Sequence, residues 1–116
     1  LKMDFAFKKI ELKELIRCSF SLTKSEFIII DFLIKNEKEE FSSKEISTNL
    51  KLDLSTVQRA LKKMHSKELL RRGQKNLSPG GYIYFYQIKN KSEIKKKLGE
   101  IINSWAKGVE NEIRKW

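Results

Sequence analysis

A single cysteine, Cys18, rules out an intrachain disulfide framework and suits a reducing cytoplasm. Its expected role is that of a small buried apolar side chain. Histidine is as scarce: His65 has no second histidine or neighbouring cysteine with which to share a metal, and no acid placed to orient it. Glycine forms no phosphate-binding motif of strand–loop–helix form, because Gly80 and Gly81 fall between two expected strands. An enzyme is therefore the least supported class, and no metal or cofactor is expected. Long apolar runs are also missing. The densest cluster, around Ile28 to Ile30, is far short of the ~20 residues of a membrane span. Lysines and acids interrupt the N-terminus where a signal peptide would be apolar. The expectation is a cytoplasmic chain without membrane contact.

Positive charge is abundant. The sequence holds 25 Lys and Arg against 15 Asp and Glu, a formal net charge of +10. Between Lys51 and Lys97 stand 13 of the basic residues and only Asp53, Glu68 and Glu93 on the acidic side. That segment carries the whole net charge, and the remainder is neutral. A merely solvated surface predicts no such segregation, whereas a polyanion-binding face does, because each phosphate neutralised by Lys or Arg releases condensed counterions.

At 116 residues the chain is expected to be one domain with one core. Phe5 to Arg17 reads as an amphipathic helix through Ile10, Leu12, Leu15 and Ile16, within an N-terminal helical region 4–20. Thr23 with Glu26 is a capping box, and Leu22 with Phe27 a hydrophobic staple. The helix they start is apolar on most sides from Phe27 to Ile34 and should lie at the centre of the core. It should end at Lys35 or Asn36, before an acidic EKEE loop. Ser42 with Glu45, and Phe41 with Ile46, repeat the same pair of signals for the next helix. After the short Lys51–Leu52–Asp53 segment, Asp53 can accept from the free N–H groups of a helix beginning at Leu54. Val57, Ala60, Leu61 and Met64 form its inward stripe. Ser55, Thr56, Gln58, Arg59, Lys62 and Lys63 are left outside, all of them hydrogen-bond donors and none acidic.

Leu69 to Arg72 and Tyr82 to Tyr86 read as strands, joined by GQKNLSPGG, in which Pro79 and Gly80 fit positions i+1 and i+2 of a type II turn. This places Lys75 at the tip of a hairpin and Arg71 and Arg72 at its base. Tyr82, Tyr84 and Tyr86 share a face at strand period and are read as core and sheet packing rather than base-stacking platforms. Asn90 and Glu93 then cap a C-terminal helix. In it Ile94, Leu98, Ile101, Trp105, Val109, Ile113 and Trp116 recur every three or four residues, with Ile102 beside them. About 25 residues at 1.5 Å give a rod of roughly 38 Å, longer than the rest of the domain can cover. Ile94, Leu98, Ile101, Ile102, Trp105, Val109 and Ile113 are accordingly expected to form the seam of a homodimer.

The order helix, turn, helix, strand, basic loop, strand predicts a mainly α fold with a small β-hairpin. It is a winged helix-turn-helix at 22–90, flanked by N-terminal and C-terminal (91–116) dimerisation helices. A helix enters the major groove of B-DNA, where Arg reads guanine and Gln reads adenine bidentately. Gln58 and Arg59 are the natural base readers. Ser55 and Thr56 can approach a base or phosphate at the helix start, and Lys62 and Lys63 sit over phosphates. The hairpin, with Arg71, Arg72 and Lys75, suits the flanking backbone or minor groove.

DLSTVQRALKKMHSKELLRRG, the wing PGGYIYFY and the helices on either side resemble the small MarR/TrmB-like winged helix-turn-helix transcriptional regulators of archaea. The resemblance covers Leu22 to Ile88, and the terminal helices by arrangement. It implies a symmetric dimer with the helix Leu54 to Ser66 in the major groove of double-stranded DNA and the wing on the flanking backbone. Glu68 departs from the pattern, standing where such sequences usually carry a glycine, so Lys67 or Glu68 must take the left-handed turn some other way or the helix must end differently. Effector control through the sugar-binding domain of full-length TrmB proteins is not implied by these residues. Two alternatives share the fold: a non-specific, chromatin-like DNA binder, and a winged helix that contacts protein in a transcription or replication complex, or structured RNA. The polar, donor-rich face of the second helix points to nucleic acid.

Overall fold

The computed structural model describes residues 10–116. Residues 5–9 of the expected first helix lie outside them. Within them the order is α1 (Leu12–Ser19), α2 (Lys24–Lys35), α3 (Ser43–Leu50), α4 (Leu54–Ser66), β1 (Leu70–Asn76), β2 (Tyr82–Ile88) and α5 (Lys91–Lys115). It is a mainly helical fold with one two-stranded antiparallel hairpin.

Local sequence sets most of the boundaries. Thr23 Oγ1 accepts from Glu26 N–H at 3.2 Å while Glu26 Oε1 accepts from Thr23 N–H at 2.9 Å, and Ser42 with Glu45 repeats both distances. Asn90 Oδ1 accepts from Glu93 N–H at 2.9 Å and opens α5. At the end of α4, Glu68 supplies the left-handed residue (φ 63°) that a glycine would otherwise provide. The Leu69 N–H donates to the Met64 carbonyl at 3.1 Å and the Glu68 N–H to His65 at 3.0 Å, the paired bonds of a Schellman ending. An ion pair from Lys97 on α5 fixes the Glu68 side chain.

The core gathers Ile29, Ile30 and Leu33 of α2, Ile46 of α3, Val57, Leu61 and Met64 of α4, and Leu69 and Leu70 at the start of the hairpin. Burying each of these large side chains contributes roughly 1.5–3 kcal/mol. Phe41 adds a short third rung to the sheet: its N–H donates to the Tyr86 carbonyl at 2.9 Å, and Tyr86 N–H donates back at 2.8 Å. The Phe41 ring also meets Phe32, with centroids 4.9 Å apart.

Several expectations are corrected. Cys18 is exposed on α1, not buried. β1 runs to Asn76, so Gly73, Gln74 and Lys75 are strand residues and Lys75 is not at the tip; it pairs with Ile83. The positive φ falls on Gly81 rather than Gly80, and the loop closes through Leu77 N–H donating to the Gly81 carbonyl at 2.9 Å, so the predicted type II turn is not formed. Leu98 is only 6% exposed and belongs to the chain's own core, with Ile94 and Ile101 packed partly against it. The first half of α5 thus closes its own domain, and the exposed apolar stripe begins at Ile102.

Candidate nucleic-acid interface

α4 begins at Asp53, whose carboxylate accepts the Thr56 N–H at 3.3 Å and the Ser55 hydroxyl. These bonds, the Ser55 hydroxyl first, hold the Asp53 carboxyl below its ordinary range. The inward stripe Val57, Ala60, Leu61 and Met64 is buried. Ser55, Gln58, Arg59 and Lys62, at i, i+3, i+4 and i+7, form one exposed ridge on the other side, with Thr56 half-buried at its edge. The side chains of Gln58, Arg59 and Lys62 make no hydrogen bond or ion pair among the described residues, although the Arg59 charge acts on the nearby Asp53 carboxylate. Their polar ends therefore face solvent uncommitted.

Lys63 departs from expectation. Its ammonium pairs with Glu26 Oε1 at 2.8 Å and donates to the Ser21 carbonyl at 3.3 Å. Glu26 is almost wholly buried beneath α4 and needs a cation there. Burial pushes the Glu26 carboxyl up. The Lys63 hydrogen bond, the Thr23 N–H and the Lys63 charge together outweigh it, leaving the pKa below the ordinary glutamate value. Lys67 likewise donates to the Phe20 carbonyl. Two lysines of the α4 end thus hold the α1–α2 turn, Lys63 from a position one helical turn after Arg59 at the edge of the exposed ridge. Lys63→Met should lower stability by roughly 1–3 kcal/mol, less than for a fully buried pair because Lys63 keeps about a third of its side chain in water. The sign of the pH effect follows from the depressed Glu26 pKa: its contribution is complete above the unfolded value and is lost as pH falls through the folded one. Thermal melts should therefore show a constant gap between wild type and variant above about pH 5, closing in more acid solution.

On the hairpin the register splits the expected wing cations between two faces. Leu70, Arg72, Gln74 and Asn76 lie opposite Ile88, Tyr86, Tyr84 and Tyr82 on the face that enters the core, and Arg71, Gly73 and Lys75 lie on the other. Arg72 stacks over the Tyr84 ring at 4.2 Å, and desolvation, with the charges of Arg72 and Lys89, depresses the His65 pKa. Arg71 pairs with Glu93 at 2.6 Å. Lys75 lies over Phe85 at 4.5 Å and 3.6 Å from Glu40 of the acidic loop. Arg72 therefore lies on the core-facing side of the hairpin, while Arg71 and Lys75 lie on the other and hold carboxylates. Sequence reasoning missed these carboxylate partners because they lie 22 and 35 residues away in the chain.

Among the described residues no cluster of His, Cys, Asp or Glu could hold a metal, and no helix is long and apolar enough to cross a membrane.

A helix-turn-helix whose second helix is followed at once by a β-hairpin, with an exposed basic ridge beside it, defines a winged helix-turn-helix protein. The chain belongs to the DnaD N-terminal domain family, whose model matches residues 9–109. It is similar over 98% of its length, at 38% identity and a TM-score of 0.88, to a possible transcriptional regulator from Methanosarcina mazei, covering 95% of that chain. The ST1889 protein from the archaeon Sulfolobus tokodaii shares the fold, with a TM-score of 0.68 at 23% identity over 84% of this chain and 93% of that one. An uncharacterized protein of Methanocaldococcus jannaschii is 29% identical over 102 residues, 88% of this chain and 73% of the relative.

Proposed function

We propose that this chain is a sequence-specific, double-stranded DNA-binding transcriptional regulator that acts as a homodimer, in the manner of the MarR/TrmB-like proteins. In this reading α4 lies in the major groove, with Gln58 and Arg59 on base edges and Ser55, Thr56 and Lys62 on bases or phosphates near them. Arg72 and, after exchange of their carboxylate partners, Arg71 and Lys75 reach the flanking backbone. The observation that carries the proposal is the uncommitted ridge on α4. Lys63, Arg71, Lys75 and Lys97 pair with carboxylates, whereas Gln58, Arg59 and Lys62 are left open to solvent at the spacing a groove requires. Similarity to a possible transcriptional regulator at 38% identity supports the same reading.

The Lys75–Glu40 pair does not stand against it. Both side chains are well exposed, and such pairs are worth roughly 0–1 kcal/mol, less than a phosphate contact with counterion release supplies. Titrations of labelled duplex at several salt concentrations test the electrostatic half of the proposal. Lys75→Ala should weaken binding to all duplexes alike and reduce the slope of log K against log salt by about one unit. An unchanged slope would remove Lys75 from the interface.

The dimer rests on the far half of α5. Ile102, Trp105, Val109, Ile113 and Trp116 remain exposed at helical spacing, on a helix that carries the chain to a long dimension of 64 Å against 23 Å across. Trp116 is fully accessible and Ile113 is 65% exposed. A two-fold contact through this stripe would give the homodimer a rigid spacing between two copies of α4.

A further inference from the structure

The hairpin carries a second surface, which shares only Arg72 with the proposed duplex interface. The tyrosines at strand period do not all pack inward: Tyr86 is buried, Tyr84 is half-buried, and Tyr82 leaves 55% of its surface to solvent. Tyr82 and Tyr84 lie with ring centroids 5.0 Å apart, tilted by 56°. The Arg72 guanidinium caps the ladder 4.2 Å from the Tyr84 centroid. Directly across the hairpin, Gln74 and Asn76 pair with Tyr84 and Tyr82, and the Gln74 amide donates to Asn76 at 3.4 Å. The result is two part-exposed rings, one stacked cation and two side-chain amides on a single face.

We propose that this face is a stacking platform for unpaired nucleobases, so that the chain binds single-stranded DNA through its wing. An intact duplex presents no base faces, because they are sealed in the stack; a strand with unpaired bases presents them all. Every base has a π-face, so stacking on tyrosine tolerates any sequence. Arg72 adds a cation–π partner. Gln74 and Asn76 each offer donors and an acceptor to base edges without favouring one base. The surrounding excess of Arg and Lys between residues 51 and 97 supplies the charge that a phosphate backbone requires and a neutral protein partner would not. The proposal does not depend on duplex recognition by α4.

Fluorescence anisotropy with a labelled oligothymidylate of about 12 nucleotides, a length within single-strand site sizes, and with a duplex of the same length tests it on the full chain. Tyr82 is at an exposed strand end, so its replacement leaves the core intact. Tyr82→Ala should weaken single-strand binding about tenfold, while Tyr82→Phe, which keeps the ring, should stay within about twofold of wild type. Duplex affinity should change by less than about twofold in both variants, whereas Arg59→Ala should weaken duplex and spare single strand. Failure of duplex binding alone would thus leave the platform standing. Four results would overturn it: no single-strand binding by the wild type; equal loss on both substrates with Tyr82→Ala; equal losses with Ala and Phe, which would mark a hydroxyl–phosphate contact; or tighter binding of an oligouridylate, which would reassign the face to RNA.

Discussion

A chain ending at Asn103 is expected to be a folded monomer that binds its duplex at least about 100-fold more weakly than the full chain, because linking two half-site contacts makes the second intramolecular. The cut is chosen from the packing. Ile94, Leu98 and Ile101 serve the chain's own core, so the cut must fall beyond them. Removing residues 104–116 takes away Trp105, Val109, Ile113 and Trp116, which lie exposed, and leaves the core whole. Val109→Glu in the full chain places a charge in the proposed seam without shortening the helix and should give the same monomer. Light scattering reports the mass, and circular dichroism checks that the loss of helix matches only the residues removed. A full-length chain that is monomeric at micromolar concentration, with and without DNA, would overturn the dimer.

Arg59→Ala is expected to cost ~1–3 kcal/mol on the preferred site and to relax selectivity at particular base pairs, with Gln58→Ala behaving similarly at neighbouring positions. Both residues are exposed on the outer ridge of α4 and touch nothing in the core, so the folded state should keep its melting temperature. The pattern matters as much as the size. A base reader loses discrimination, whereas a phosphate contact such as that expected of Lys62 loses affinity uniformly. An Arg59→Ala protein with affinity and preference intact would take α4 out of the groove.

The helices were legible because their signals are local. The Ser42–Glu45 and Thr23–Glu26 boxes, the Asp53 and Asn90 caps, and the stripe from Val57 to Met64 lie within a few residues of the backbone groups they serve, and α4 runs over the expected Leu54 to Ser66. What the pattern hid depends on distant partners. RRGQKN has no strand alternation of its own; it becomes β1 because the aromatic strand β2 pairs along its whole length. Lys63 looks like any solvent-facing lysine until Glu26, 37 residues earlier, is placed beneath it. Leu98 fits a dimer seam as well as it fits a core, since helical period marks a buried face without saying whose surface buries it. The tyrosine ladder shows the same limit at strand period: Tyr82, Tyr84 and Tyr86 share a face, but the core ends at Tyr86 and the hairpin continues past it.

Selection from a pool of randomised duplexes, with sequencing of the bound fraction, tests the central claim most directly. Two α4 helices held by one two-fold axis predict an enriched inverted repeat with half-sites centred about 10 base pairs apart, or a multiple of that, and loss of the enriched positions with Arg59→Ala. A bound pool no different in sequence from the input would contradict sequence-specific recognition by this helix.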